Sequence, residues 1–134
     1  MMAKTYSLEL KSEFSEAEKI PDFIEEISLE ENLKNEMKDK VMLALSEAVT
    51  NAIVHGNKED LGKKVNVRMR INLKSVVITV RDEGQGFNPE DSPDPMKEEN
   101  LLATGGRGIF LMREFADEIE YSDSGRLITM KFIR

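Results

Sequence analysis

The chain has 134 residues, 40% of them hydrophobic, which is one domain's length with enough apolar material for a single core, so residues 1–134 are expected to form one domain. It contains no cysteine, which excludes disulfide scaffolds, thiol catalysis and thiolate zinc sites and fits a reducing compartment, the cytoplasm. A formal charge of −7 argues against a direct nucleic-acid binder, and no apolar run is long enough to span a bilayer or act as a signal peptide.

The acids are concentrated. Residues 13–31 hold eight acids against one base and residues 88–99 five against one, which leaves the remainder of the chain at +4 and able to take a small anionic ligand.

Thr5 to Lys11 alternates polar and apolar residues and predicts a first strand with Tyr6, Leu8 and Leu10 on one face, placed at a sheet edge. Ser15 with Glu18 is a capping-box pattern ahead of a helix whose apolar positions Ile20, Phe23, Ile24 and Ile27 carry it through Leu29. Leu33 to His55 predicts the longest helix, apolar round most of its circumference, hence buried, and ended by Gly56. Lys64 to Leu73 and Ser75 to Asp82 read as two β-branched strands joined by a tight turn at Lys74. Gln85 to Arg107 holds prolines 89, 93 and 95 and reads as a long irregular loop, the pattern of a lid or binding loop. Helical spacing resumes over Gly108 to Ala116, and Glu118 to Ser122 with Arg126 to Ile133 form a last hairpin turning at Asp123, Ser124 and Gly125. The order implies a mostly antiparallel or mixed sheet with helices layered on one face.

Five of the eight glycines, 84, 86, 105, 106 and 108, stand at the two ends of the irregular loop. Glycine lets the backbone approach a ligand closely and is wasted entropy otherwise. Asp82 ends an apolar strand at the first cluster, where an ionised carboxylate suits a ligand amine such as that of adenine; alone, it reads as a turn cap. The second cluster runs into a helix whose first amides form an anion cradle, with Arg107 adding charge. On the long helix Glu47, Asn51 and His55 stand four residues apart on one polar stripe. Asn51 could ligate a hydrated magnesium ion and Glu47 accept a proton from an attacking hydroxyl, whereas His55 is better explained by contacts at the helix end. Walker-type, dinucleotide-binding and protein-kinase motifs are missing from the sequence.

Taken together, EAVTNAIVHGN, RDEGQGF and GGRGIFLM resemble, in that order, the N box and the two glycine boxes of the GHKL superfamily of ATP-binding proteins, which includes histidine-kinase catalytic domains, gyrase and MutL-type proteins. Within it the chain is most similar to the anti-sigma factor serine/threonine kinases. The resemblance implies the histidine-kinase-like ATPase fold, an α+β two-layer sandwich with a mixed, mostly antiparallel sheet, helices on one face and an ATP lid. It assigns Asn51 to magnesium, Glu47 to the general base, Asp82 to the adenine amine, Gly84 and Gly86 to the adenine-side loop, and Gly106 and Gly108 to the phosphates. Arg107 and Lys97 are candidates for the γ-phosphate. The implied activity is transfer of the ATP γ-phosphate to an anti-anti-sigma-type partner, with a sigma factor as a further partner and a homodimer as the working assembly. An ATP-gated binding protein that transfers no phosphate is the alternative, and a detached histidine-kinase catalytic domain fits less well, because His55 would sit inside the ATP site.

Overall fold

The computed structural model describes residues 3–85, 112 and 114–134. Five strands, β1 (Lys4–Lys11), β2 (Lys64–Ile71), β3 (Ser75–Arg81), β4 (Glu118–Ser122) and β5 (Leu127–Ile133), form one sheet in the order β1-β2-β3-β5-β4. Every pairing among the described residues is antiparallel. Register explains the two faces. Tyr6, Met69, Ile78, Met130 and Ile119 stand side by side across all five strands on the covered face, while Ser7, Arg68, Thr79, Thr129 and Glu120 make the next row on the open face. Apolar and polar residues separate because successive side chains of a strand point to opposite faces.

The covered face carries α1 (Ile20–Glu31) and α2 (Asn35–Asn51), giving an α+β two-layer architecture. Ile20, Ile24 and Ile27 of α1 and Val41, Leu45 and Val49 of α2 are buried against it, each large side chain contributing about 1.5–3 kcal/mol. Asn32 ends α1 in the left-handed region, at φ 53°, with its N–H on the Ser28 carbonyl. No helix among the described residues is long and apolar enough to cross a membrane.

Several expected boundaries move, each for a local reason. The capping box at Ser15 is not formed: Phe14–Lys19 is a 3₁₀ turn without a side-chain cap, and the α-helix starts at Ile20. Pro21 lacks an N–H and is tolerated only in the first turn, so a helix containing it has to begin just before it. Glu16, instead of Glu18, reaches back, its carboxylate accepting the Lys11 N–H at 3.0 Å.

The long helix is not buried all round. Leu43 is 51% exposed and Met42 is half-buried, because α2 has the sheet beneath it and α1 beside it but solvent above. It also stops being an α-helix at Asn51 and continues as a π-helical turn over Ala52–Gly56, closed by the Asn57 N–H on the Ala52 carbonyl at 2.8 Å.

β2 ends two residues earlier than expected, β3 one residue earlier, and β5 begins at Leu127 instead of Arg126. The β2–β3 turn is wider than a single lysine because Asn72 Oδ1 accepts the N–H groups of Lys74 at 2.7 Å and Ser75 at 2.9 Å, an Asx turn that leaves Leu73 exposed. The β4–β5 turn falls at the expected residues, with Asp123, Ser124 and Gly125 all at positive φ. Met112 is buried in the core and its carbonyl takes the Ala116 N–H, a helical turn where the last helix is expected. The irregular loop and most of that helix lie outside the described residues.

The edge strand β1 is tied to the helical layer by Tyr6, whose hydroxyl lies 2.7 Å from Glu31 Oε1 and 2.8 Å from Glu30 Oε2. Desolvation first, and then the two carboxylates, raise the phenol well above its ordinary range. A folded-state value above the unfolded one means that the folded chain holds the proton more tightly, so this contact stabilises below about pH 10 and its contribution is lost as pH rises further. Tyr6→Phe is therefore expected to lower stability at pH 7 by about 1 kcal/mol and to flatten the alkaline fall seen in the parent protein. Urea titrations at pH 7 and above pH 10 measure both, and an unchanged alkaline slope would remove Tyr6 from this role.

Candidate active site

The site begins where α2 runs out. The π-helical turn delivers Gly56 against the end of β3, and a Cβ built at position 56 would lie 2.5 Å from Asp82 Oδ2 and 2.6 Å from Asp82 Cγ. The carboxylate occupies the space where any other side chain would start. A Cβ at Gly84 would lie 2.0 Å from the Gly56 carbonyl oxygen, so the two backbones also touch. Gly56 ends the helix as expected, but the sequence did not announce that its missing side chain makes room for Asp82.

Asp82 is held from several directions. Its N–H donates to the Arg126 carbonyl at 2.9 Å, and its Oδ1 accepts the Gly84 N–H at 2.8 Å. Oδ2 accepts no hydrogen bond among the described residues. Arg126 clamps the glycine loop from β5, with Nε on the Gly84 carbonyl at 2.8 Å and Nη2 on the Gln85 carbonyl at 3.0 Å. Asn57 clamps it from the helix side, accepting the Glu83 N–H on Oδ1 at 2.7 Å. Burial raises the Asp82 carboxyl above the usual carboxylate range, opposed by the Gly84 N–H and by the charges of Arg126, Arg81 and Lys63.

Glu47 and Asn51 lie on the last turns of α2, with Asn51 five residues before Gly56. Both are half-buried, not enclosed as a fully buried helix would make them, and neither side chain makes a hydrogen bond or ion pair among the described residues. His55 is exposed within the π-helical turn. The structure thus joins Asp82 and Gly84 to the end of the helix that bears Glu47 and Asn51. Gly86, Gly106, Arg107, Gly108 and Lys97 lie outside the described residues. Arg126 and Asn57 are additions that sequence reasoning missed: Asn57 closes the HGN run and could have been questioned there, whereas nothing in the sequence marks Arg126.

The donor set can receive a ligand amine at Asp82 Oδ2 and offer a neutral carboxamide oxygen and a carboxylate further back along the helix. No group of three histidines, aspartates or glutamates able to hold a metal by themselves occurs among the described residues. Such a set suits a cation that arrives with its own phosphate and water oxygens, as magnesium does.

The model of the histidine kinase-like ATPase domain matches residues 10–132. Among curated relatives, a serine-protein kinase RsbW of Staphylococcus aureus is 36% identical over 101 residues, 69% of this chain and 64% of the relative. An anti-sigma F factor of Clostridium perfringens is 40% identical over 96 residues, covering 68% of this chain and 69% of the relative. The chain thus spans about 64% of the length of the RsbW relatives. Among solved structures, the RsbU and RsbW domains of a Mycobacterium tuberculosis protein match 98% of this chain and 32% of theirs with a TM-score of 0.63 at 18% identity, a likeness of fold.

Two measurements test this geometry. Gly84→Ala is expected to cost about 1–3 kcal/mol, because its Cβ meets unyielding backbone, whereas Gly62→Ala, whose nearest neighbour is the Asp60 side chain at 3.2 Å, should cost much less. Denaturant titration of both variants checks the contrast.

The raised carboxyl makes a second expectation. The folded chain binds the Asp82 proton more tightly than the unfolded chain, so ionised Asp82 opposes folding increasingly as pH rises from about 4. Asp82→Asn keeps an oxygen for the Gly84 N–H and should leave the melting temperature at pH 7 unchanged or higher. A marked drop would show that the carboxylate charge stabilises the fold.

Proposed function

The chain belongs to the histidine kinase-like ATPase family, and from that premise we propose that it is an ATP-dependent serine/threonine protein kinase of the anti-sigma-factor type. The single observation that carries this reading is the Asp82 carboxylate wedged against Gly56, with Oδ1 fixed by the Gly84 N–H and Oδ2 accepting no hydrogen bond among the described residues. An acceptor held there favours the exocyclic amine of adenine and disfavours guanine, which would present a carbonyl to it. The names of the RsbW kinase and the anti-sigma F factor support the same reading of what the nucleotide is used for.

In this reading Gly84 and Gly86 let the backbone approach the base, and Gly106, Arg107 and Gly108 cradle the phosphates. The Asn51 carboxamide oxygen, free of other partners among the described residues, would hold Mg²⁺ together with water and phosphate oxygens. Held there, the ion would neutralise charge on the transferring phosphoryl group. The hydroxyl of a serine or threonine on an anti-anti-sigma-type protein attacks the γ-phosphorus as the bond to the β-bridging oxygen breaks. Glu47 accepts the hydroxyl proton and ADP departs. When that partner is absent, a sigma factor is the other protein held, and the chain acts in the cytoplasm. β1 lies at the edge of the sheet and supports the homodimer expected from the sequence.

Glu47→Gln should leave ATP affinity within about twofold of the parent and lower phosphoryl transfer by about 10²–10⁴-fold, whereas Asn51→Ala should lose magnesium-dependent ATP binding. Calorimetry with ATP and GTP, and transfer of labelled phosphate to an anti-anti-sigma protein, separate the two effects. Transfer at the parent rate by Glu47→Gln would exclude its role as base. Absence of transfer by the parent, with ATP still bound, would favour an ATP-gated binding protein.

A further inference from the structure

Between the helix end and the adenine-side loop lies a buried polar network that the proposed reaction does not use. Asn57 and Ser12 are both fully buried, at 1% and 0% exposure. Asn57 Nδ2 donates to Ser12 Oγ at 2.7 Å and to the Lys64 carbonyl at 3.0 Å, and Ser12 Oγ in turn donates to the Lys63 carbonyl at 2.7 Å. Both amide hydrogens are therefore committed to the junction of β1 and β2, which fixes the orientation of the carboxamide. Its oxygen is aimed the other way, onto the Glu83 N–H at 2.7 Å.

A mere helix cap would be satisfied by the helix itself. The Asn57 backbone N–H already closes the π-helical turn on Ala52, so the side chain is free to serve elements far away in sequence. Glu83 stands between Asp82 and Gly84, the two residues joined by the Oδ1 to N–H contact that orients the carboxylate. Any shift of the Glu83 amide moves both. Arg126 restrains the carbonyl side of the same loop at Gly84 and Gln85, so Asn57 supplies the restraint on the amide side.

We infer that Asn57, anchored through Ser12, is a positioning residue for base selection: it fixes the Asp82 loop and thereby sets the preference for a purine bearing a 6-amino group. The inference rests on the reading of Asp82 as the adenine acceptor. A hydrogen-bond acceptor discriminates only while it stays within a few tenths of an ångström and a few tens of degrees of its donor, so loosening its support erodes selectivity before it erodes phosphate binding.

The test measures the affinity of the whole chain, with magnesium, for ATP and for the ATP analogue lacking the 6-amino group, in the parent, Asn57→Ala, Asp82→Asn and the double variant. Asn57→Ala should lower the ratio of the two affinities by about tenfold while circular dichroism shows it folded, and should change the ratio no further in the Asp82→Asn background. A purely structural role would weaken both ligands together and leave the ratio alone. A folded Asn57→Ala protein with the parent ratio overturns the inference. Should Asn57→Ala fail to fold, Ser12→Ala, which frees one of the two amide hydrogens, carries the test: a ratio lowered about threefold supports the inference and an unchanged ratio overturns it. An Asp82→Asn protein that keeps the parent ratio overturns the reading of Asp82 itself, a result visible without any Asn57 variant.

Discussion

A carboxylate fills the place where a side chain at position 56 would begin, and the rest of the site follows from that contact. It requires glycine at 56, and the approach of the Gly56 carbonyl requires glycine at 84. It brings the end of α2 onto the end of β3, so residues distant in sequence share one corner of the fold. It also places a charge where burial disfavours it, which is why the Asp82 carboxyl is pushed upward. Backbone donors and nearby cations offset that cost without removing it. By stability alone a neutral residue would serve better there, because an ionised carboxylate loses more on burial than its partners return.

The sheet supports this corner by having two unlike faces. Its covered face is apolar across all five strands, so the strand ends are held in register by a core that does not depend on the site. Its open face carries exposed Arg68 and Arg70, whereas the exposed side of α1 carries Glu25, Glu26 and Glu30. The net charge of −7 therefore conceals an acidic helical layer and a basic stretch of open sheet. Charge on opposite sides of one small molecule orients approaching partners more than an evenly spread excess would.

Strands were legible in the sequence because their signal is local. Alternation over Thr5 to Lys11 and the β-branched runs after Lys64 give the pleat directly, and register then follows from which face is apolar. Helix starts were less legible at Phe14–Lys19, where a capping pattern competed with Pro21 and the proline prevailed. The exposure of Leu43 could not be read from periodicity, since an apolar residue at a helix surface looks the same whether or not another layer covers it. Asp82 and Gly84 were legible as a carboxylate and a glycine at a strand end. The contact of Gly56 with Asp82 and the roles of Asn57 and Arg126 were not, because each acts across the fold: Asn57 reaches Ser12 over 45 positions and Glu83 over 26.

The two carboxamides that flank the π-helical turn make the same point physically. Asn51 and Asn57 have identical chemistry and lie six residues apart, yet Asn57 is buried with both donors and its oxygen in use, and Asn51 is half-exposed with no partner among the described residues. A buried amide without partners would cost about 1–3 kcal/mol, so Asn57 can be buried only because its network is complete. Asn51 avoids that cost by remaining partly exposed. The wide turn between them separates a carboxamide whose polar atoms are all in use from one that stays partly exposed. Composition cannot distinguish these roles; the backbone path between positions 52 and 56 does.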